Sequence, residues 1–158
     1  MMEHHDQWTE IQNDLQSAAQ VQIPRIVMTI DPECSYELHI FADASAKVYT
    51  AVAYIRAYDL NSQTYHVGLI YSKNRIVKPN SHTIPTLELL AVVLATCLLT
   101  FLRKTFKCEF ARQFIWSDST TILAWIKNSK KILPLFIERR IKVIRELPGV
   151  KFCYVPSS

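Results

Sequence analysis

The clearest pattern in the chain lies at residues 38–43, where the side chains alternate with a period of two. Leu38, Ile40 and Ala42 alternate there with His39, Phe41 and Asp43. Successive side chains of a strand point to opposite faces of a sheet, and both sets here are mostly apolar. The pattern predicts a strand that is covered on each face and that ends in a carboxylate.

Further strand and helix patterns follow this first strand. We predict strands at 48–58 and 65–73, then a helix that has Pro85 in its first turn and is apolar nearly all round from 87 to 102. A strand at 113–117, helices at 120–128 and 134–147, and a last strand at 150–155 follow. The short polar loops that join the first three strands predict an antiparallel meander. This order of strands and helices predicts an α/β domain.

Length and composition indicate one globular domain behind a short leader. The chain has 158 residues, of which 49% are hydrophobic, enough to bury a single core. Trp8, Ile11 and Leu15 recur at helical spacing near the start. We therefore predict a leader at 1–35 and the domain at 36–158.

The longest apolar run and the cysteines bear on the setting of the protein. Leu89–Leu102 is short for a membrane span, so we interpret it as a core helix. The four cysteines are widely spaced, which favours buried, reduced thiols without a disulfide partner over zinc ligands. The amino terminus shows no secretory signal pattern. These features predict an intracellular protein, cytoplasmic or nuclear, with no membrane partner.

Charge is unevenly distributed along the chain. Residues 1–100 carry 6 basic and 10 acidic side chains, whereas residues 101–158 carry 12 basic and 4 acidic ones. Such a basic half is typical of proteins that bind polyanions, although a solvated helix surface gives the same counts. The candidate nucleic-acid-binding residues in it are Lys127, Lys130, Lys131, Arg139 and Arg140.

Several aromatic and histidine side chains invite a functional interpretation. Trp116 and Trp125 have apolar neighbours, which favours core positions over stacking platforms for bases. His39 and His66 fall in predicted strands, where packing or hydrogen bonding is the simpler role.

Three acids stand in otherwise apolar segments. Asp43 ends the first strand, Glu88 lies in the first turn of the apolar helix, and Asp118 follows the fourth strand. Each alone is explained as a turn former, a helix-dipole partner or an N-cap. Together they favour a shared divalent metal, because Mg²⁺ prefers carboxylate oxygens and would offset their mutual repulsion.

Ordered motifs around these acids resemble a known family. Phe41-Ala42-Asp43-Ala44-Ser45, Thr83-Ile84-Pro85-Thr86-Leu87-Glu88-Leu89-Leu90-Ala91 and Trp116-Ser117-Asp118-Ser119-Thr120 resemble the ribonuclease H domain of Pao/BEL-type LTR retrotransposon polyproteins. Ala124-Trp125-Ile126 and Phe136-Ile137-Glu138-Arg139-Arg140 fit the same pattern. In the leader, Trp8 and Ile23-Pro24-Arg25 resemble the joint with an upstream reverse transcriptase domain.

The resemblance implies a fold and an activity. The fold is a ribonuclease H-like mixed five-stranded sheet, three antiparallel strands and then two parallel ones, with flanking helices. The activity is hydrolysis of the RNA strand of RNA–DNA hybrids with two Mg²⁺ ions, for which Mn²⁺ can substitute. Asp43 would bridge both ions, Glu88 and Asp118 would complete the second, and Ser45 and Ser119 would position the scissile strand.

The chain departs from the family pattern at its end. The family's fourth carboxylate lies in a motif resembling Asn-Pro-Ala-Asp after the last strand, where this sequence stops at Ser157-Ser158. We therefore expect a fragment lacking the last helix, with weak metal occupancy and low or absent cleavage by this chain alone. The alternative functions are a non-catalytic nucleic-acid-binding module and an interaction module of a polyprotein.

Overall fold

A computed structural model describes residues 2–20, 31, 33–79, 81–106 and 108–156. Its elements in chain order are α1 Met2–Ala18, β1 Cys34–Ala44, β2 Val48–Asp59, β3 Tyr65–Ile76, α2 Ile84–Thr105, β4 Phe110–Ser117, α3 Thr120–Lys127, α4 Leu135–Arg145 and β5 Val150–Tyr154. The predicted order of elements is confirmed. The motif Ile23-Pro24-Arg25 and the pair Ser157-Ser158 lie outside the described residues.

The five strands form one mixed sheet in the order β3-β2-β1-β4-β5. β1 pairs antiparallel with β2, and β2 pairs antiparallel with β3, whereas β4 runs parallel to both β1 and β5. The predicted fold class, three antiparallel strands followed by two parallel ones, is confirmed. β1 takes the central place because both of its faces carry mostly apolar side chains.

Helix α2 covers one face of the sheet. Leu38 and Ile40 of β1 are fully buried in the same core as Leu89 and Leu99 of α2. By length and composition alone α2 would suffice to cross a membrane, and half of its most apolar window is buried inside the fold. The core-helix interpretation of this run is confirmed, and the helix begins at Ile84, which puts Pro85 in its first turn as predicted.

The other face of the central strands carries a row of aromatic rings. His39 stacks on Phe114 with ring centroids 4.7 Å apart, and Trp116 stacks on Phe41 at 5.9 Å. Because these rings use their faces on one another, few ring faces are left for bases. Trp125 packs against the main core as predicted. Trp116 instead belongs to this half-buried row and lies outside the core.

The cysteines and the edge strand differ from expectation. All four thiols are free, yet none is buried, and Cys97 is exposed on α2, so their predicted burial is wrong. The prediction followed the usual burial of free Cys, from which the exposed Cys97 departs most. β3 extends to Ile76, three residues beyond the prediction, because an edge strand accepts exposed polar side chains.

Candidate functional site

Two of the three candidate acids leave neighbouring strands at the same end. β1 and β4 are parallel, and Ala42 lies opposite Ser117. The residue that follows in each segment is an acid: Asp43 in β1, and Asp118 directly after β4. Asp43 is exposed and Asp118 is half-buried. The topology thus gathers two carboxylates that are far apart in sequence.

Glu88 reaches this edge from α2. Its Oε2 accepts a hydrogen bond of 2.6 Å from the hydroxyl of Ser119, the residue that follows Asp118. The first turn of α2 contains no acid, because the helix begins at Ile84 and Glu88 lies in the next turn. The predicted first-turn position of Glu88 is therefore wrong, and an interaction with the helix dipole explains its presence less well.

The carboxylates at this end of the strands suit Mg²⁺ chemically, but two of them are hydrogen-bonded to other protein groups. Carboxylate oxygens are the ligands that Mg²⁺ prefers. Asp43 Oδ1 accepts the backbone N–H of Ala44 at 2.7 Å, and Glu88 is bound to Ser119. Among the described residues, no group of three or more His, Cys, Asp or Glu side chains is placed to hold an ion. The shared metal site stays a prediction that needs side-chain rearrangement.

The two candidate serines occupy different environments. Ser45 is exposed in the β1–β2 turn, where its Oγ donates to the carbonyl of Val48 and accepts the N–H of Lys47, each at 3.2 Å. Ser119 is only 6% exposed and is the N-cap of α3, accepting the N–H of Ile122 at 3.3 Å. A buried hydroxyl with these partners is poorly placed to touch a nucleic-acid strand.

The candidate basic residues surround α3, α4 and the loop between them. Lys127, Lys130, Lys131 and Arg139 are exposed, and Arg140 is half-exposed. Lys131 Nζ lies 5.9 Å from the centre of the Trp125 ring, and the Arg140 guanidinium lies 3.4 Å from that of Phe136. Whether these five residues bind nucleic acid stays a prediction.

One basic residue of this region has a structural role instead. Arg145 donates to the carbonyls of Ile126 at 3.0 Å and Asn128 at 2.8 Å, at the carboxyl end of α3. Arginine at this position satisfies carbonyls that have no partner within their own helix. Arg145 therefore joins α4 to α3.

The sequence analysis missed a charged cluster at the opposite end of β1. Glu37 is 5% exposed, lies opposite Arg56 and Arg112 on the adjacent strands, and forms salt bridges with both. Burial opposes ionisation of Glu37, but hydrogen bonds from His39 and Arg56 and the arginine charges leave its pKa below the usual value. The available signal was a charged residue inside each of three largely apolar strands, Glu37 in β1, Arg56 in β2 and Arg112 in β4.

His39 links this cluster to the aromatic row. Its Nε2 lies 3.2 Å from Glu37 Oε2, and its Nδ1 accepts the indole N–H of Trp116 at 3.1 Å. Because an indole N–H only donates, His39 must be neutral, with its proton on Nε2. Burial lowers the pKa of His39, which agrees with this assignment. The predicted packing and hydrogen-bonding role of His39 is confirmed.

Comparisons with known proteins agree with this architecture. A family model described as Pao retrotransposon-like RNaseH-like domain matches residues 1–119. Among curated proteins, none matches the chain. A foamy viral protease-reverse transcriptase, solved in complex with dsDNA, shares the fold with a TM-score of 0.51 and 16% identity, over 100% of this chain and 30% of the viral one.

Two further solved structures are more distant. LC11-RNase H1, solved with an RNA/DNA hybrid, gives a TM-score of 0.48 at 12% identity, covering 77% of this chain and 86% of its own. RNase H1 from the halophilic archaeon Halobacterium salinarum NRC-1 gives 0.47 at 13% identity, with the same coverage. The sheet order and the match over 119 of 158 residues agree on one assignment. The chain belongs to the Pao retrotransposon-like RNaseH-like domain family.

Proposed function

We propose that this domain hydrolyses the RNA strand of RNA–DNA hybrids with the help of Mg²⁺. One observation carries the proposal. Parallel pairing of β1 with β4 brings Asp43 and Asp118 to the same end of these strands, where Glu88 is hydrogen-bonded to Ser119. Carboxylates from separate elements at one sheet edge are the donor set that divalent-metal hydrolysis requires. Membership of the family supports the same activity.

Asp43, Glu88 and Asp118 are the residues that would hold the metal. Two bound Mg²⁺ ions, or Mn²⁺ in their place, would activate water and neutralise charge on the leaving oxygen. Asp43, the exposed acid at the end of the central strand, would be the most accessible of the three carboxylates to an incoming ion.

Three acids form a weaker metal site than four. The family pattern includes a fourth carboxylate beyond the last strand, and the described residues supply three at this edge. Fewer anionic ligands lower the affinity for a strongly hydrated cation such as Mg²⁺. A site built from these three acids alone would therefore bind Mg²⁺ weakly and support only slow cleavage.

The basic residues would bind the hybrid without reading its sequence. Lys127, Lys130, Lys131 and Arg139 present exposed charges from α3, α4 and the intervening loop. Phosphate contacts from such residues give salt-dependent affinity, and a hybrid is distinguished by shape and 2′-OH groups more than by base edges. Ser45, exposed beside Asp43, is the remaining candidate for a strand contact.

A hydrolysis assay tests the activity. A labelled RNA–DNA hybrid is incubated with the chain and Mg²⁺ or Mn²⁺, with Asp43→Asn and Asp118→Asn as inactive variants and Asp14→Asn, an exposed acid of α1, as the matched control. Cleavage that depends on Asp43 and Asp118 but not on Asp14 supports the proposal. If neither this chain nor one extended to the fourth acid cuts the hybrid, the enzyme proposal is wrong.

A second candidate function is that of an interaction module. It is favoured by the absence of a preformed three-ligand group among the described residues and by the exposure of Trp8, Ile11 and Leu15 on α1. An apolar helix stripe that is about half exposed is typical of a surface covered by a partner, and an upstream reverse transcriptase domain is the partner that the family implies. Binding of such a domain without metal-dependent turnover would distinguish this function.

A further inference from the structure

We propose that Ser119 is a positioning residue that holds Glu88 in place for metal binding. This inference depends on the proposed metal-dependent activity and assigns a different role from the strand contact that the sequence predicted. Ser119 is 6% exposed, and its hydroxyl lies 2.6 Å from Glu88 Oε2. It therefore acts on Glu88 and not on a bound strand.

The hydrogen bonds around Ser119 fix the direction of its proton. Its Oγ accepts the N–H of Ile122 at 3.3 Å, and its own N–H donates to Ser117 Oγ at 3.2 Å. A serine hydroxyl has one proton to give, and the carboxylate of Glu88 is its acceptor. Ser119 is thus held by β4 and by α3 before it engages Glu88.

This arrangement joins three elements at the candidate site. Ser117 ends β4, Ser119 caps α3, and Glu88 belongs to α2. The hydrogen bond fixes one oxygen of Glu88 and leaves the second, Oε1, for another partner. A partner that orients a metal-binding carboxylate typically contributes about 10-fold to 100-fold to metal affinity. We expect an effect at the lower end here, because Glu88 is half-buried and already restricted.

The capping role of Ser119 must be separated from its positioning role. Glycine is nearly as good as serine at an N-cap, whereas alanine is poor there. Ser119→Gly therefore removes the donor to Glu88 with little loss of helix stability, and Ser119→Ala removes both functions. Ser119→Thr keeps a hydroxyl for both. The backbone φ of −78° at Ser119 suits all of these residues.

Metal affinity, measured without any substrate, gives the decisive readout. Mn²⁺ is titrated into residues 1–158, free Mn²⁺ is followed by electron paramagnetic resonance, and thermal melting of each variant is recorded in parallel. We expect Ser119→Gly and Ser119→Ala to weaken Mn²⁺ binding about 10-fold. Ser119→Thr should restore most of the affinity. Only Ser119→Ala should also show a clearly lower Tm. Ser62→Gly, at an exposed turn, serves as the control.

Two failures give different results. If the wild-type chain binds Mn²⁺ and Glu88→Gln weakens that binding but Ser119→Gly does not, Ser119 has no positioning role and the proposed function stands. If the wild-type chain and Asp43→Asn bind Mn²⁺ equally or not at all, the proposed metal site fails, and the inference fails with it. Combining Ser119→Gly with Glu88→Gln should weaken binding no further than Glu88→Gln alone.

Discussion

Replacing Glu37 with glutamine should destabilise the domain although it leaves the shape of the side chain almost unchanged. Glu37 is 5% exposed and accepts hydrogen bonds from Arg56, whose Nε lies at 2.6 Å, and forms a salt bridge with Arg112. Hydrogen bonds to charged groups contribute about 1.5–3 kcal/mol each. The arginine side chains are 35% and 56% exposed, so solvent screens them and the contributions do not add in full.

We therefore expect Glu37→Gln to lower the free energy of unfolding by about 2 kcal/mol at pH 7. For a domain of this size that corresponds to a fall in Tm of about 6 °C. Urea unfolding followed by tryptophan fluorescence gives the value, with Glu109→Gln, an exposed acid, as the matched control for loss of one negative charge. Equal stability of the two variants would show that the arginines do not depend on Glu37.

The pH dependence of this difference provides a second check. The pKa of Glu37 is below its usual value of 4.5 in the folded protein, so the folded state binds this proton less readily than the unfolded state. Its stabilising contribution is complete above the unfolded pKa and is lost as the pH falls through the folded pKa. The gap between wild type and Glu37→Gln should therefore narrow only in acid, below about pH 4.5. A gap that already narrows near pH 6 would contradict the assignment.

Three other perturbations follow from the same contacts. Replacing Lys130 and Lys131 with glutamine should weaken hybrid binding and reduce the salt slope by about 2, measured by fluorescence anisotropy against the edge-strand control Lys73→Gln. Trp125→Phe should lower the free energy of unfolding by less than about 1 kcal/mol, because the buried indole N–H has no partner in the described structure. A loss above about 3 kcal/mol in urea unfolding would show that the N–H does have a partner. Burial lowers the pKa of His39 in the folded protein, so the free energy of unfolding should decrease as the pH drops below about 6.5, the usual pKa of histidine. His39→Phe should reduce this decrease, as measured by urea unfolding at several pH values.

The order of elements could be predicted because the hydrophobic patterns are strong. β1 reads as a strand covered on both faces and becomes the central strand, and α2 is apolar almost all round and is half-buried on the sheet. Boundaries were less accurate where polar residues end an element. β3 continues to Ile76 because its edge position tolerates exposed side chains, whereas α2 begins at Ile84, in agreement with the predicted place of Pro85 in its first turn.

The candidate site could be predicted only at the level of residues. The acids stand out because charge is rare in apolar segments, and the topology explains why Asp43 and Asp118 are neighbours. Side-chain partners depend on contacts between distant elements that no local pattern encodes. For this reason the hydrogen bond from Ser119 to Glu88 and the salt bridges of Glu37 were not foreseen.

The parallel pairing of β1 with β4 has a consequence for when the candidate site comes into being. These strands are separated in the sequence by β2, β3 and α2, so closing them against each other is a late and slow event in folding. A nascent chain that has emerged from the ribosome only as far as α2 possesses Asp43 and Glu88 but not the strand that brings Asp118 beside them. The timing of synthesis itself therefore withholds the proposed nuclease chemistry until β4 has been made and has paired with β1.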